Sequence, residues 1–231
     1  MRELVSIVIP CYNPENEWEK KVMENLEKID QSISKQYEIE IILVDDGSMH
    51  DLDEAFERIS KKWKTVRTKN QVNAGKGNAV RKGVSLANGK YIIYTDSDIP
   101  YENKHIAEHL ELLEKGDDIV ITVRDKTYYD TIPMQRKIIS LVVQYLIKLL
   151  FRLPTADTQG GLKSMNKMGK EILINTKIDG YLFDLEFIKE AFKQKRRIGY
   201  IHGELKQDIN VKKVDLSVLF KEFYNLLYLL K

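Results

Sequence analysis

Several features that define whole classes of protein are scarce in this chain. Cysteine occurs once among the 231 residues, at Cys11, which excludes a disulfide framework and a cysteine-based zinc site. Charge of either sign is not in excess, because 37 basic residues face 35 acidic ones for a formal net charge of +2. A nearly neutral chain has no general attraction for polyanions. We therefore expect no nucleic-acid partner, and any anionic ligand must meet a local group of cations.

Long apolar runs are also scarce. The longest, at residues 138–151, is interrupted by Ser140, Gln144 and Lys148. It falls short of the ~20 apolar residues that a membrane-spanning helix needs. The N-terminus leads from Met1 into a short strand-like segment without a secretory cleavage pattern. The sequence predicts a cytoplasmic protein.

What the chain does contain is an alternation of short apolar runs and amphipathic segments. Five runs predict strands at residues 5–9, 39–44, 65–68, 91–95 and 119–123. Two apolar stripes predict helices, one through Trp18, Val22, Leu26, Ile29 and Ile33, the other through Leu52, Ala55, Phe56, Ile59 and Trp63. Longer helices are predicted at residues 133–152, 167–174, 183–193 and 215–230. The pattern predicts an α/β fold with a mostly parallel sheet flanked by helices. We expect one domain, residues 1–210, followed by an amphipathic helical appendage, residues 211–231.

A pair of carboxylates follows the fourth predicted strand. Asp96 and Asp98 are separated by one residue where the chain leaves the sheet. Hard oxygen ligands at that point suit Mg²⁺ or Mn²⁺ shared with a diphosphate. Aspartates in a loop are also common turn formers, so a purely structural role stays open for this pair.

A second acidic cluster follows the second predicted strand. Asp45 and Asp46 could recognise a base or a ribose through carboxylate hydrogen bonds. Part of the cluster has a structural alternative, because Ser48 or Asp51 could cap the next helix.

A glycine-rich cluster opens a further predicted helix, which contains Ala79, Val80 and Leu86. Residues 73–77 read NAGKG, which lets the backbone approach a ligand and brings Lys76 to an anion near a helix N-terminus. The spacing is not that of a Walker loop, which argues against phosphoryl transfer from ATP. Since ligands of open α/β sheets bind outside the carboxyl ends of the strands, we expect these clusters to converge on one crevice.

Four segments together resemble the family 2 glycosyltransferases of the GT-A fold. They read IVIPCYN at 7–13, ILVDDGS at 42–48, NAGKGNA at 73–79 and YTDSD at 94–98. The resemblance implies a Rossmann-like nucleotide-binding half in which Asp96 and Asp98 meet the metal and the diphosphate. It further implies a nucleotide-sugar donor held by Pro10, Tyr12, Asp45, Asp46 and Lys76.

Three later segments are similar to polyprenyl- and dolichyl-phosphate sugar synthases. They are residues 136–140, 157–163 and 181–186, the last two closest to the dolichyl-phosphate glucosyltransferase branch. The similarity implies an inverting transfer of glucose or a related sugar, with a UDP-sugar favoured. It also implies that Arg136 binds the acceptor phosphate, with Arg124 and Lys163 as further candidates. The chain departs from the polyprenyl-phosphate mannose synthases at Pro100, which stands where they place a Gln beyond the metal carboxylates.

The nature of the acceptor decides whether a base is needed. A phosphate monoester is largely ionised at pH 7 and can attack the anomeric carbon once cations position it. A sugar hydroxyl on a cell-surface glycan would need a carboxylate base, for which Asp184 or Glu186 is the candidate. Solvated charge on an amphipathic helix is the alternative for both. A non-catalytic subunit that binds a nucleotide sugar or a lipid is the alternative from another class.

Two predicted helices carry unusual amounts of apolar surface. In the helix after Pro133, a narrow polar stripe leaves the remaining surface almost wholly apolar. The stripe consists of Ser140, Gln144, Lys148 and Arg152. The final segment adds aromatic residues and Lys221. Such helices are buried or meet lipid or a partner. We expect a peripheral enzyme at the inner face of the membrane, with a homo-oligomer or a membrane-bound partner as alternatives.

Overall fold

A central sheet of seven strands organises the molecule, for which we use a computed structural model. The structure describes residues 2–124, 132, 134–151, 153, 155, 157–206 and 216–230, but not the side chains at 136 and 216–221. The strands are β1 (Glu3–Cys11), β2 (Tyr37–Asp45), β3 (Lys64–Lys69), β4 (Tyr91–Thr95), β5 (Ile119–Arg124), β6 (Leu162–Met165) and β7 (Ile198–Gly203). The helices are α1 (Trp18–Ile33), α2 (Asp53–Ser60), α3 (Lys76–Leu86), α4 (Lys104–Glu114), α5 (Met134–Phe151), α6 (Lys167–Ile174), α7 (Phe183–Lys193) and α8 (Leu216–Leu229).

The strand order of the sheet is β3-β2-β1-β4-β6-β5-β7. β6 is antiparallel to both of its neighbours, and the other paired strands are parallel. The chain therefore leaves β1, β2 and β4 at the same edge of the sheet. β1 lies between β2 and β4, so the connections diverge to opposite sides there, which is where open α/β sheets form a ligand crevice.

The alternation of side chains along each strand builds two cores. Ile41 and Leu43 face the layer formed with α1, α2 and α4, while Ile42 and Val44 face the layer formed with α3, α6 and α7. Because both faces are covered, the inner strands are apolar without interruption, as expected of a parallel sheet. Both apolar stripes predicted for the first two helices are buried.

The predicted fold class is confirmed, and each predicted strand and helix is present with similar bounds. The sequence interpretation missed α4, β6 and β7. β6 reads LKSM and buries Lys163 and Ser164, so its hydropathy does not mark it as an inner strand. Two buried histidines on α4 hide the apolar stripe of that helix in the same way.

The two apolar helices are only partly covered. α5 buries Ile147, and α8 buries Leu229. On α5 the large exposed side chains are Met134, Ile138, Leu141, Val142, Tyr145, Leu149 and Leu150. On the described part of α8 they are Phe223, Tyr224, Leu227 and Tyr228. In the described chain, none of the helices has the length and hydropathy needed to cross a membrane.

Candidate active site

The loops that follow β1 and β2 are joined by reciprocal hydrogen bonds. The backbone N–H of Asn13 donates to Ser48 Oγ at 3.0 Å, and the N–H of Met49 donates to Asn13 Oδ1 at 2.8 Å. Ser48 thus ties two loops together and does not cap α2, so of the two residues considered as caps only Asp51 remains. Asp51 does accept the N–H of Asp53 at the start of α2, at 3.0 Å.

Asp45 ends β2 with a buried carboxylate that is only half satisfied. Its Oδ1 accepts the backbone N–H of Ser48 at 2.8 Å. Its Oδ2 receives no hydrogen bond from the described residues, although the ammonium of Lys69 lies 3.5 Å away. A buried carboxylate oxygen without a donor is costly, so this atom is suited to a ligand that brings one.

Asp46 differs from Asp45, because both oxygens of its carboxylate bind the glycine-rich loop. Oδ1 accepts from Asn70 Nδ2 at 2.7 Å and from the N–H of Ala74 at 3.0 Å. Oδ2 accepts from the N–H of Gly75 at 3.0 Å. Both oxygens therefore hold the loop in front of α3. Gly75 has a φ of +102°, a conformation that favours glycine.

A segment before α7 lies against the start of α3. The N–H of Gly77 donates to the carbonyl oxygen of Asp179 at 2.7 Å, and the guanidinium of Arg81 binds the Asp179 carboxylate. A Cβ at Gly75 would collide with that same carbonyl oxygen, and one at Gly77 would collide with the carbonyl of Ile178. The two glycines are thus required by this close approach.

Lys76, the first residue of α3, reaches across to the end of β4. Its Nζ lies 2.6 Å from Asp96 Oδ1. Burial alone would lower the pKa of Lys76, but the carboxylates of Asp96 and Asp184 overcome that effect and raise the pKa above its ordinary value. The ammonium is therefore a fixed positive charge at the edge of the sheet.

Asp98 stands beside this ion pair. Although the residue is exposed, crowding around its carboxyl group and the negative charge of Asp96 raise its pKa to about 6. The next residue, Ile99, has a φ of +43°, which is strained for a β-branched side chain. The turn that presents Asp98 is held by the hydrogen bond from the Ile99 N–H to the Asp96 carbonyl, at 2.9 Å.

The pair Asp96 and Asp98 fits a divalent cation that is shared with a substrate. Mg²⁺ is commonly bound through one or two carboxylates together with substrate phosphates. The described residues contain no cluster of three or more metal-binding side chains. Pro100 adds no ligand to the pair, so the remaining ligands would come from phosphate oxygens and water.

Behind this edge lies a buried cluster of charged and phenolic groups. Lys163 Nζ, fully buried on β6, lies 2.8 Å from Asp184 Oδ1 and donates to the carbonyl of Gly160 at 2.6 Å. The hydroxyl of Tyr94 also donates to Asp184 Oδ1. Burial lowers the pKa of Lys163, opposed by Asp184, whereas burial and the charge of Asp184 raise the pKa of Tyr94.

The three cations predicted to bind an acceptor phosphate are placed differently. Arg124 donates to Asp157 from Nε at 2.9 Å and from its backbone N–H at 2.7 Å, and this ion pair is nearly buried. Lys163 is enclosed by protein, which leaves its ammonium no open surface toward an acceptor. Arg136 belongs to the first turn of α5, but its side chain lies outside the described residues.

The two carboxylates predicted as alternative bases also differ. Glu186 accepts the backbone N–H groups of Lys177 at 2.9 Å and Ile178 at 2.8 Å, so it anchors the segment before α7. Asp184 instead faces the cations, since it pairs with Lys163 and also influences the pKa of Lys76. Of the two, Asp184 is the group near the candidate site.

Pro10 and Tyr12, also predicted at the donor, lie at the end of β1. Pro10 pairs with Val44, one residue before Asp45, and the side chain of Tyr12 is half exposed. The sequence interpretation assigned no role to Asp157, which begins the segment 157–163, or to Asp179. These carboxylates fix Arg124 and the start of α3. Local sequence gave no signal for either contact, because their partners are 33 and 98 residues away along the chain.

This sheet, with its carboxylates and its lysine at one edge, has the GT-A fold of nucleotide-sugar transferases. One solved neighbour is the mannosyltransferase PcManGT from Pyrobaculum calidifontis in complex with GDP-Man and Mn²⁺. The TM-score is 0.58 at 17% identity, covering 87% of this chain and 55% of that one. The family model "Glycosyl transferase family 2" matches residues 6–175. The chain belongs to that family, as the four motifs predicted.

Two curated relatives show which members of the family this chain is similar to. The dolichyl-phosphate beta-glucosyltransferase ALG5D of Trichomonas vaginalis is 26% identical over 235 residues, covering 96% of this chain and 72% of the relative. The glycosyltransferase GlyG of Streptococcus pneumoniae serotype 4 is 38% identical over 124 residues, covering 52% of this chain and 39% of the relative. The match thus spans well under half of GlyG, but almost three quarters of ALG5D.

Proposed function

We propose that this protein transfers a sugar, glucose or a close relative, from a nucleotide diphosphate sugar to a polyprenyl phosphate, with inversion at the anomeric carbon. The observation that carries the proposal is the position of Lys76. Its ammonium pairs with Asp96, and its pKa is also raised by the charge of Asp184, at the edge where Asp45 presents an unsatisfied oxygen. One crevice could thus bind the base, the diphosphate and the sugar of the donor, one after another along its length.

The donor side is supported by the charges at the strand ends. Asp45 Oδ2 would accept an N–H of the base, with Pro10 and Tyr12 beside it, and a UDP-sugar is the favoured donor. Asp46 would act through the loop it orders, and Lys76 would face the diphosphate. Mg²⁺ or Mn²⁺ held by Asp96 and Asp98 would neutralise charge on the departing nucleotide. That PcManGT is described with GDP-Man and Mn²⁺ is in keeping with this donor chemistry.

The acceptor side rests on cations rather than on a base. A phosphate monoester is already a nucleophile at pH 7, so positioning by positive groups suffices. Arg136 is the proposed phosphate contact. Arg124 and Lys163 are each paired with a buried carboxylate, so their part in placing the acceptor would be indirect. The similarity to dolichyl-phosphate glucosyltransferases supports the same class of acceptor.

One observation favours a second candidate, transfer to a hydroxyl of a glycan or of a lipid-linked oligosaccharide. Asp184 lies near Lys76, where a general base for a hydroxyl would be needed. Its oxygen Oδ1, however, already accepts from Tyr94 and faces Lys163. A carboxylate held in this way is a weak base, so we favour the phosphate acceptor.

We further propose that the protein works at the inner, cytoplasmic face of the membrane. The exposed apolar side chains of α5 and α8 would lie in the lipid interface and bring the site to its acceptor. A second copy or a membrane-bound partner covering the same surface is the competing outcome.

The test is a transfer assay with Mn²⁺, a panel of nucleotide sugars and either undecaprenyl phosphate or a lipid-linked sugar. Release of nucleotide that depends on the lipid phosphate is the expected result. Release only with the sugar acceptor would overturn the proposal in favour of hydroxyl transfer. Binding of a donor without turnover on any acceptor would favour a non-catalytic subunit.

Two variants sharpen this assay. Arg136→Ala is expected to raise the KM for the lipid phosphate about tenfold or more with little change in the donor KM, because it removes a charge-assisted contact to phosphate. Lys137→Ala, a change in the next cation of α5, is the matched control. Equal effects of the two variants would remove Arg136 from the site.

A further inference from the structure

The C-terminal helix α8 is bonded directly to the segment that precedes Asp184. Glu222 Oε1 accepts the backbone N–H of Tyr181 at 2.8 Å, and Glu222 Oε2 accepts that of Leu182 at 2.9 Å. Asn225, one turn further on, donates to Oε2 at 3.3 Å. Hydrogen bonds to a carboxylate are stronger than those between neutral groups. One side chain of α8 thus holds two consecutive amides.

The close approach is built into the sequence on both sides. A Cβ at Gly180 would collide with Glu222 Oε1, so a larger residue there would force the carboxylate to shift from its present position. At its other end, α8 is held by Lys189 of α7, which donates to the carbonyl of Leu229 at 2.6 Å. Leu229 itself is buried in the core layer beneath. The helix is therefore fixed at two points along its length.

The tethered amides sit between two parts of the candidate site. Upstream, Asp179 holds the first turn of α3, where Lys76 begins the helix. Downstream, Leu182 leads into α7, whose second residue is Asp184. The phenol of Tyr181 is close enough to Lys76 to influence its pKa. Displacement of residues 179–184 would therefore move groups on both sides of the crevice.

The opposite face of α8 is not used in this contact. Its aromatic side chains, Phe223, Tyr224 and Tyr228, are exposed, with Tyr224 76% accessible. The helix thus carries a site-facing carboxylate on one side and an open apolar surface on the other. Any contact that fixes α8 therefore also fixes residues 179–184.

We infer that Glu222 is a positioning residue, which fixes residues 179–184 and through them the placement of Lys76 and Asp184. The inference rests on the proposed function for the identity of the ligand, but the tether itself is independent of it. α8 then has a double role, as part of the apolar surface and as the support of one wall of the crevice.

The test compares Glu222→Ala with Glu222→Gln in the full chain. Alanine removes both acceptors, whereas the amide keeps one. Amide hydrogen exchange in residues 179–184 is expected to rise about tenfold in Glu222→Ala and less in Glu222→Gln. Affinity for UDP-glucose in the presence of Mn²⁺, measured by calorimetry, is expected to fall about threefold to tenfold in Glu222→Ala. The matched control is Tyr224→Ala on the exposed face, which should change neither.

The outcomes separate this inference from the proposed function. If Glu222→Ala leaves both exchange and affinity at the native level, the positioning role is wrong. If exchange rises while affinity and the kinetic constants stay native, the contact is structural only, which also overturns it. In turnover assays of Glu222→Ala we expect kcat to fall and the KM for the acceptor to stay unchanged, because the helix that carries Arg136 is untouched. If the native protein binds neither UDP-glucose nor GDP-mannose, the donor proposal fails, and the exchange data alone decide whether Glu222 holds the segment.

Discussion

The two halves of the candidate site hold their polar groups in different ways. The half built on β1, β2 and β4 uses loops in which side chains bind backbone amides, as Asp46 does at Ala74 and Gly75. The half built on β6 and α7 buries complementary charges, as in the pair Lys163 and Asp184. In the first arrangement Asp45 and Asp46 are buried but Asp96 and Asp98 remain accessible at the edge of the sheet, whereas in the second Asp184 and its cation both lie inside the protein.

The difference matters for how stability and chemistry are linked. A loop that is fixed by amide bonds can lose one contact and remain folded, because water can replace the lost partner at an edge. A buried ion pair that loses one member leaves an uncompensated charge in the core. Substitutions in the β6 and α7 half should therefore reduce the free energy of unfolding as well as any activity, whereas those at the strand ends should affect ligand binding more selectively.

The largest effect is expected for Asp184→Ala. This change leaves the buried ammonium of Lys163 without its carboxylate partner, which should lower the free energy of unfolding by about 3–5 kcal/mol. Urea unfolding followed by circular dichroism measures the effect, with Glu24→Ala on the exposed side of α1 as the control. A loss of less than half that size would mean that the cluster is solvated and that the two halves do not differ in this respect.

An intermediate effect is expected for Asp46→Ala. The loop of residues 70–75 loses three hydrogen bonds, which should reduce stability by about 1–3 kcal/mol. Because the loop leads into Lys76, affinity for a nucleotide sugar should fall as well, by more than the affinity change in Asp51→Ala. Calorimetric titration with UDP-glucose provides the measurement. A variant that binds as tightly as the native protein would show that the loop is not needed at the donor site.

The same two halves of the site also differ in how well the sequence predicts them. The strand-end clusters were predictable, because apolar runs mark the inner strands and parallel topology brings their carboxyl ends to one edge. β6 was not, because Lys163 and Ser164 give an inner strand the composition of a surface one. The roles of Glu186 and Glu222 were likewise out of reach, since the backbone amides that each binds depend on a tertiary approach that no local pattern records.

A smaller, pH-dependent effect is expected at His109, on α4 beneath β5 and β6. Its Nδ1 contacts Ser164 Oγ and its Nε2 contacts Thr122 Oγ1, both at 2.8 Å. Burial, together with the nearby charges of His105 and Lys163, lowers the pKa of His109 to about 3.

An unfolded chain takes up the histidine proton near pH 6.5, whereas the folded protein does so only near pH 3. The stability supplied by the neutral ring is therefore complete above the unfolded pKa and is lost as the pH falls between these values. The expected slope is about 1 kcal/mol per pH unit. Urea unfolding between pH 7 and pH 5 should show this slope in the native protein and a weaker one in His109→Gln. Equal slopes would assign the acid sensitivity to other groups.

The smallest effect on stability is expected where α5 meets solvent. Tyr145 is 66% exposed, so Tyr145→Ser should change the free energy of unfolding by less than about 0.5 kcal/mol. The buried neighbour on the same helix behaves oppositely, since Ile147→Ala should cost about 2–5 kcal/mol through the cavity it leaves. The exposed position should matter only at a lipid surface, where Tyr145→Ser is expected to weaken sedimentation with anionic vesicles. Unchanged vesicle binding, combined with a concentration-dependent shift in molecular mass that the substitution abolishes, would assign this apolar surface to a second copy of the chain instead.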